Sequence, residues 1–360
     1  MNIKFKKLFK IISALNLDAL FITNQHNVSY LTGFTGFSTD EREGFLLATK
    51  KNAYLLLFST YFNLFEKDGS GVTTLCITHN KRLTRHLNEI IKKEKIKSIG
   101  FEEENLTIAE LNSLQNKVKV RWQATKGKIE DLRVIKDETE LKYIKDAARI
   151  TDAAFEFIKG KIKKGVSEKT LALELEYFLK KNAGDIAFSP IIAFNKNAAI
   201  PHYLPTNSQQ LIANSLILLD FGAKINGYCA DMTRVVFFGT PGEKEVKMYN
   251  TVLSAQKKAL SNLTAGMTAH KIDKIARDHI ISQGFPEYPH SLGHGVGLAI
   301  HENPRLKKDS KVILKENMVV TVEPGIYLPG QCGIRIEDLV LLKDKGVEIL
   351  SKSTKEIVII

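Results

Sequence analysis

Four carboxylates and one imidazole stand in or beside apolar runs of the sequence, at Asp220, Asp231, His294, Glu323 and Glu337. Burying an ionised carboxylate among apolar residues is costly unless a cation or several hydrogen bonds compensate its charge. The run LILLD ends at Asp220 and the run CADMTRVVFF carries Asp231, and the turn-like residues between the runs predict a hairpin with the two carboxylates as cross-strand neighbours. Because adjacent carboxylates repel each other unless metal ions lie between them, the hairpin indicates a metal site.

The other three residues stand where a side chain can face a cavity. Glu323 ends the run MVVTVE directly before Pro324, where a strand must stop, and His294 lies in GHGVG, whose glycines allow close backbone approach. In GIRIEDLVL, the period of two places Arg335 and Glu337 on one strand face, so we expect these two side chains to pair. An oxygen-rich set with one imidazole suits manganese or cobalt, with zinc and iron also possible.

The phrases around these residues resemble those of one known family. They are NAAIPHY, LDFGAKINGYCADMTR, HSLGHGVGLAIHENP, VEPGIY and GIRIED, together with HNVSYLTGFTGFS in the first part of the chain. In order and spacing, the ligand-type residues are similar to those of the pita-bread metallopeptidases, which include methionine aminopeptidase, aminopeptidase P, prolidase and creatinase. The phrases are similar to the proline-specific branch, the Xaa-Pro dipeptidases (prolidases) and aminopeptidases P. The resemblance spans nearly the whole chain.

The resemblance implies a role for each ligand-type residue. Asp220 would bind one metal ion and His294 the other. Asp231 and Glu337 would bridge the two ions, and Glu323 would bind the same ion as His294 and also move the proton of the attacking water. Four further residues are implied around the substrate or the ligand set: His202, His290, His301 and Arg335. The histidines would contact the substrate amide and the tetrahedral intermediate, and the arginine would donate a hydrogen bond to the ligand set.

The same resemblance implies a peptidase that uses two divalent metal ions, which together would activate a water and polarise the scissile carbonyl. The implied substrates are short proline-containing peptides. We favour an Xaa-Pro dipeptidase over an aminopeptidase P that acts on longer peptides, and a catalytically inactive pita-bread binding module is a remote alternative. A dipeptidase needs a cation or amide donors for the free carboxylate of proline. Since Arg335 is expected to pair with Glu337, the sequence leaves that partner open.

Each residue also has an interpretation that requires no chemistry. Asp220 or Asp231 alone fits a strand-end cap or a turn residue. His202 and His290 each follow a proline and fit exposed loop positions, and Arg335 fits a plain charge neutraliser. The joint order and spacing of the five ligand-type residues is what favours the metal site.

The elements that must position these residues predict two domains. Residues 1–125 alternate apolar strands such as GFLLAT and SIGFE with helical stretches such as KRLTRHLNEIIKK, a pattern typical of an α/β domain. Residues 126–136 are predicted to form a linker. In residues 137–360, long amphipathic helices alternate with hairpins, which predicts an α+β domain. The resemblance identifies this second part as a pita-bread catalytic domain preceded by a smaller α/β N-terminal domain.

Composition and charge argue against several other classes of protein. The sequence contains no run of about 18 uncharged apolar residues, so no membrane span is predicted. The net charge of +12 comes from scattered lysines mixed with acidic residues, without the basic motifs of nucleic-acid-binding proteins. The three cysteines suit reduced thiols, so we expect a cytoplasmic protein. We also expect a homodimer that acts on peptides and binds neither nucleic acid nor membrane.

Overall fold

The computed structural model describes residues 3–38, 41–65 and 71–360 of the chain. It contains two compact units, Met1–Arg133 and Val134–Ile360. The residues predicted as a linker, 126–136, span this division, and a short helix, Glu130–Arg133, lies at the end of the first unit.

The described part of the first unit contains a six-stranded mixed sheet. Its strands are β1 (Ala19–Ile22), β2 (Gly44–Thr49), β3 (Ala53–Phe58), β4 (Thr73–Ile77), β5 (Ser98–Glu102) and β6 (Arg121–Thr125), in the spatial order β4-β3-β2-β1-β5-β6. Its helices are α1 (Ile3–Ala14), α2 (Gln25–Thr32), α3 (Ser59–Phe65), α4 (Leu83–Glu94), α5 (Ile108–Lys117) and α6 (Glu130–Arg133). The α/β pattern expected from the alternating runs is confirmed. The sequence RWQAT of β6 is too polar to have been predicted as a strand.

The helices of the second unit are α7 (Glu138–Lys159), α8 (Glu168–Ala183), α9 (Glu243–Asn262) and α10 (Ala269–Ser282). Helix α7 begins with a capping box, in which the side chain of Asp137 accepts from the backbone of Glu140 and the Glu140 carboxylate accepts from the backbone of Asp137. Its inner face buries Ile144 and Phe155, as the apolar period predicts. Within the three described ranges, no helix of the chain is long and apolar enough to cross a bilayer.

The strands of the second unit form two larger and two smaller sheets. They are β7 (Asp185–Ile186), β8 (Ile191–Phe194), β9 (Ser215–Phe221), β10 (Ala223–Ile225), β11 (Tyr228–Cys229), β12 (Met232–Phe238), β13 (Gly293–Gly295), β14 (Glu302–Leu306), β15 (Val319–Val322), β16 (Gly325–Leu328), β17 (Cys332–Arg335), β18 (Asp338–Leu342), β19 (Val347–Ile349) and β20 (Val358–Ile359). The four-stranded sheet has the order β20-β12-β9-β8, and the five-stranded sheet has the order β14-β13-β15-β18-β19. The smaller sheets are β11-β10-β7 and β16-β17.

A cluster of buried side chains joins the two larger sheets to α9 and α10. Leu218 and Val235 contribute from the first sheet, Val320 and Val340 from the second, and Val252 from α9. Each fully buried side chain of this kind stabilises the fold by about 1.5–3 kcal/mol. The strand ends that carry the candidate residues are therefore fixed by packing, which is what a precise site requires. Helices and antiparallel hairpins together confirm the expected α+β architecture.

Candidate active site

Asp220 and Asp231 come from the predicted hairpin, but they do not lie directly opposite each other. Strand β9 pairs with β12 so that Asp220 faces Thr233, and Asp231 directly precedes β12. The expected direct pairing of the two aspartates is wrong because the hairpin turns at Asn226–Gly227, and the register set by this turn, which β10-β11 and β9-β12 share, places Thr233 opposite Asp220. A Cβ atom at Gly222 would lie 1.8 Å from the carbonyl oxygen of Ala230, so only glycine allows the backbone to pass there.

His294, Glu323 and Glu337 belong to the five-stranded sheet or stand at its ends. His294 is the middle residue of β13, Glu323 directly follows β15, and Glu337 directly precedes β18. The phrase GIRIEDLVL is therefore not one strand, and the expected alternation of Arg335 and Glu337 along a single strand is wrong. The strand breaks because the backbone N–H of Glu337 donates to the carbonyl of Thr233 in β12 instead of continuing the β16-β17 ladder.

All five ligand-type residues line one cavity of about 370 Å³. The Nε2 atom of His294 lies 3.3 Å from Oε1 of Glu323 and 3.6 Å from Oδ2 of Asp231. One side-chain ligand atom from each of Asp231, His294 and Glu337 lies within 4.8 Å of the other two. Residues that are up to 117 positions apart in sequence thus converge on one buried point.

Burial disfavours the charged form of all four carboxylates in this group, and the charges of neighbouring carboxylates add to this effect for Asp231, Glu323 and Glu337. Burial, and then the charges of Glu337, Asp220 and Glu323, raises the pKa of Asp231 well above its ordinary value. Burial and the charges of Glu323 and Asp220 likewise raise the pKa of Glu337 well above its ordinary value. Burial raises the pKa of Glu323 to about 7 and lowers the pKa of His294 to about 3. The imidazole is therefore neutral, which is the form that binds metal.

This donor set fits divalent cations. Among the residues that the structure describes, Oδ1 of Asp220 is buried without a hydrogen-bond partner. Such an atom is costly to bury unless a group from outside the chain compensates it. Carboxylate oxygens with one imidazole are ligands for manganese, cobalt, iron or zinc, and none of the three cysteines, all in described positions, lines the cavity to form a thiolate site. Bound cations would also remove the repulsion among the carboxylates.

The side chain of Arg335 is linked by hydrogen bonds to Asp220 and, through Thr233, to Glu337. Its Nη2 donates to Oδ2 of Asp220 at 2.5 Å, its Nε to the hydroxyl of Thr233 at 2.9 Å, and its Nη1 to the hydroxyl of Tyr327 at 2.9 Å. The Thr233 hydroxyl in turn donates to Oε2 of Glu337 at 2.7 Å. The expected direct pair of Arg335 with Glu337 is replaced by a pair with Asp220, and Glu337 is reached only through Thr233. Arg335 thus orients two of the ligand-type carboxylates, Asp220 directly and Glu337 through Thr233.

Both ring nitrogens of His290 are engaged within the chain. Its Nδ1 lies 2.8 Å from the carbonyl oxygen of Ser291, and its Nε2 lies 2.8 Å from the hydroxyl of Tyr327. Because a carbonyl only accepts, Nδ1 carries the proton and Nε2 accepts from the tyrosine. Burial, and then the charge of Arg335, lowers the pKa of His290 to about 4. In this arrangement His290 presents its ring as part of the cavity wall, with no ring nitrogen left for substrate.

His202 and His301 line the same cavity as the ligand-type residues. His202 stands in an exposed turn that follows a 3-10 turn, Asn195–Ala199. The ring of His301 lies edge-on to the ring of His294, with 4.4 Å between centroids. Burial, and then the charge of Arg305, lowers the pKa of His301, so its imidazole is neutral near pH 7. These two imidazoles are therefore available to a molecule in the cavity.

Arg305 is a cavity residue that the sequence analysis did not identify. It lies in β14 directly opposite His294 and lines the cavity. Its guanidinium is half-buried and, within residues 3–38, 41–65 and 71–360, makes no hydrogen bond or ion pair. The alternation of HENPRL would have placed Arg305 on the strand face of His301, so the period of two was the available signal. Apolar side chains complete the wall: Phe188, Ile191, Pro201 and Ile300.

Removal of metal should destabilise the protein, and the loss should grow as the pH rises from 6 to 8. In the metal-free folded chain the pKa of Glu323 is raised to about 7, above its unfolded value. The folded state then binds more protons than the unfolded state, so stability is retained below the folded pKa and is lost as the pH rises through it. Melting curves of chelated and metal-reloaded protein at both pH values measure this. We expect the melting temperature of chelated protein to lie several degrees below that of metal-reloaded protein, since about 1 kcal/mol moves the midpoint of such a domain by ~2–4 °C. This difference should be larger at pH 8 than at pH 6. A smaller difference at pH 8 would contradict the expectation.

Two family models match the chain. Metallopeptidase family M24 matches residues 142–344, and the creatinase/prolidase N-terminal domain matches residues 4–135. The first match covers more than half of the chain and includes every ligand-type residue. Both matches agree with the sequence resemblance.

Relatives of known sequence and structure match over nearly the full length. The Xaa-Pro dipeptidase of Pyrococcus horikoshii is 34% identical over 361 residues, which cover 99% of this chain and 99% of the relative. The solved Xaa-Pro dipeptidase from Bacillus anthracis superposes with a TM-score of 0.93 at 35% identity over 99% of both chains. An X-Pro aminopeptidase from Thermotoga maritima has a TM-score of 0.89 at 33% identity, covering 97% of this chain and 99% of that chain.

These similarities confirm the expected fold, a pita-bread catalytic domain preceded by a smaller α/β domain, and the resemblance to the proline-specific branch. The match to a metallopeptidase family also agrees with the buried cluster of Asp231, His294 and Glu337, whose oxygen and nitrogen donors suit a divalent metal. The chain belongs to metallopeptidase family M24 and is a metal-dependent hydrolase.

Proposed function

We propose that this protein is a dinuclear-metal exopeptidase that hydrolyses the bond between an N-terminal residue and proline, with Xaa-Pro dipeptides as its substrates. The observation that carries the proposal is that four carboxylates, the neutral imidazole of His294 and the guanidinium of Arg305, which has no hydrogen-bond or ion-pair partner among the described residues, line one cavity. The names of the dipeptidase relatives support the same substrate class.

We propose that Asp220 holds one cation, that Asp231 and Glu337 are shared by both, and that His294 and Glu323 hold the other. The hydrogen bonds from Arg335 and Thr233 keep Asp220 and Glu337 oriented for this task. Manganese or cobalt suits these ligands best, and zinc or iron is also compatible. When bound, such cations lower the pKa of water and polarise a carbonyl group.

The side chains of the cavity have separate roles in this proposal. Glu323 accepts the proton of the attacking water and returns it to the nitrogen of proline as the peptide bond breaks. His202 and His301 donate hydrogen bonds to the oxygen of the scissile carbonyl as negative charge develops there. His290, whose nitrogens are bound to Ser291 and Tyr327, packs its ring beside the proline. Each group acts from a position that the fold fixes before substrate arrives.

Arg305 supplies the cation that a dipeptidase needs. It lines the cavity, and Arg335 is unavailable because its donors are engaged by Asp220, Thr233 and Tyr327. A guanidinium binds a carboxylate with two parallel hydrogen bonds, which gives both strength and orientation. We propose that Arg305 binds the free carboxylate of proline, so that a dipeptide fills the cavity.

Blocking that carboxylate should reveal the preference for dipeptides. We expect Leu-Pro amide to be hydrolysed at least about 10-fold more slowly than Leu-Pro, since a charge-assisted hydrogen bond contributes ~1.5–3 kcal/mol. Arg305→Ala should raise KM for Leu-Pro and remove the difference between the two substrates. Lys307→Ala, an exposed cation two positions further along the chain, is the matched control and should keep the difference. Equal rates on Leu-Pro and its amide with wild-type protein would refute the dipeptidase proposal.

One structural feature favours an aminopeptidase that acts on longer peptides. An open groove of about 490 Å³ continues from the cavity and shares His290, Ser291 and Arg305 with it. Residues beyond proline could extend into this groove, and one of the similar structures is an X-Pro aminopeptidase. Comparable rates on Leu-Pro-Gly-Gly and Leu-Pro would support this second function.

A further inference from the structure

Glu168 is a buried carboxylate that does not belong to the described lining of the catalytic cavity. It is the first residue of α8 and has 0% exposure. Its Oε1 accepts hydrogen bonds from the backbone N–H of Phe194 and from the side-chain amide of Asn197, each at 2.8 Å. Its Oε2 accepts from the hydroxyl of Tyr203 at 2.8 Å. All three donors belong to one short segment, residues 194–203, which carries His202.

Two of the three partners, Asn197 and Tyr203, also bind each other. The amide of Asn197 donates a second hydrogen bond to the hydroxyl of Tyr203 at 2.9 Å. Tyr203 therefore donates to Glu168 and accepts from Asn197, and both carboxylate oxygens are satisfied. A buried carboxylate is stable only with such complete hydrogen bonding, so loss of one partner strains the rest. The network ties the start of α8 to both sides of the His202 turn.

The start of the segment is also held by pairing of Phe194 with Ile217 and by hydrogen bonds of Asn195, but the part around His202 has no regular structure of its own. After the 3-10 turn Asn195–Ala199, residues 200–206 form turns and irregular chain without strand pairing. On its other side, a Cβ at Gly333 would lie 2.0 Å from the carbonyl oxygen of Ala198, so β17 packs directly against the 3-10 turn. The 3-10 turn is therefore held between β17 and the hydrogen bonds that this segment donates to Glu168. His202 follows this 3-10 turn by three residues and lines the cavity.

We propose that Glu168 is a positioning residue for His202, acting through the hydrogen bonds to Phe194, Asn197 and Tyr203. The inference rests on the proposed function, in which His202 acts on substrate. A displacement of about 1 Å at a reacting group can lower turnover ~100-fold. Loss of the network should therefore reduce kcat without removing a metal ligand.

Substitution of Glu168 tests this inference. We expect Glu168→Ala to lower kcat for Leu-Pro by about 10- to 100-fold while bound metal stays at the wild-type level. Glu168→Gln should keep more activity, because its amide oxygen still accepts from Phe194 and Asn197. Glu176→Ala, which removes a carboxylate paired with Lys180 on the same helix, should leave kcat unchanged. Metal loss equal to the loss of kcat in Glu168→Ala would overturn the inference.

A double-mutant cycle separates positioning from a general loss of structure. If Glu168 acts through His202, then adding Glu168→Ala to His202→Ala should change kcat by less than about 2-fold, since coupled residues are not additive. Fully additive losses would overturn the inference. If Glu168→Ala does not fold, Tyr203→Phe removes one of the three hydrogen bonds to Glu168, together with the one from Asn197 to Tyr203, and should show the same lack of additivity with a smaller loss.

Hydrogen exchange gives a readout that does not depend on activity. In Glu168→Ala the backbone amides of residues 194–203 should exchange faster than in wild type, while those of β13 and β15 keep their protection. Unchanged exchange in residues 194–203 would overturn the inference. If wild-type protein does not hydrolyse Xaa-Pro peptides, the proposed function fails, and the exchange experiment still decides whether Glu168 holds the His202 segment.

Discussion

Asp231→Asn and Glu337→Gln should each abolish hydrolysis of Xaa-Pro dipeptides. Each change keeps the shape of the side chain and removes a negative charge that we propose is shared by two cations. Metal ions contribute several kcal/mol to such reactions, so we expect turnover below about one-thousandth of wild type. Both side chains are nearly fully buried, at 5% and 2% exposure, so water cannot replace the lost charge. Proline release and bound metal, measured on the same samples, check the result.

The control for these variants is an exposed carboxylate close to the site in sequence. Asp344 lies in the turn after β18 and is exposed, so Asp344→Asn should retain turnover and metal. Near-wild-type turnover with full metal content in either Asp231→Asn or Glu337→Gln would contradict the proposal that these carboxylates are shared. The melting temperature of metal-loaded protein should also fall in both variants, because bound ligand stabilises the folded state.

His202→Ala and His301→Ala should each lower turnover by about 100-fold or more, the size expected of an oxyanion donor or a proton-transfer group. Both imidazoles line the cavity, and neither belongs to the proposed ligand set. Bound metal should therefore stay at the wild-type level. Steady-state kinetics with Leu-Pro and metal analysis of the purified variants measure the two effects separately.

The ring contact between His301 and His294 makes metal content the deciding control for these variants. If His301→Ala loses metal and activity to the same extent, this side chain holds the site together and does not act on substrate. His79→Ala changes an exposed histidine of the first unit and should alter neither quantity.

The ligand-type residues were predictable from the sequence because each is a charged or imidazole side chain beside an apolar run. Apolar runs are read directly from residue types, and the end of the run MVVTVE at Glu323 is predicted in the same way. The strand ends next to Glu323 because Pro324 has no backbone N–H to donate to the ladder.

The hydrogen bonds within the site were not predictable from local patterns. The register that places Asp220 opposite Thr233 is an exception, because the turn at Asn226–Gly227 sets it and it continues unchanged from β10-β11 into β9-β12. Arg335 binds Asp220, which is 115 positions away, because the strand that seemed continuous breaks before Glu337. Contacts between distant segments depend on packing of the whole unit, whereas secondary-structure propensity and hydrophobic periodicity describe only residues that are close in sequence.

The proposal of a dinuclear Xaa-Pro peptidase is tested most directly by titrating metal-free protein with Mn²⁺ or Co²⁺. In each sample, the proline released from Leu-Pro and the bound metal are both measured. We expect no release without metal and a plateau when about two ions are bound per chain, as a two-metal site requires. Full turnover without metal, a plateau at one bound ion, or no proline release at any metal content would contradict this function.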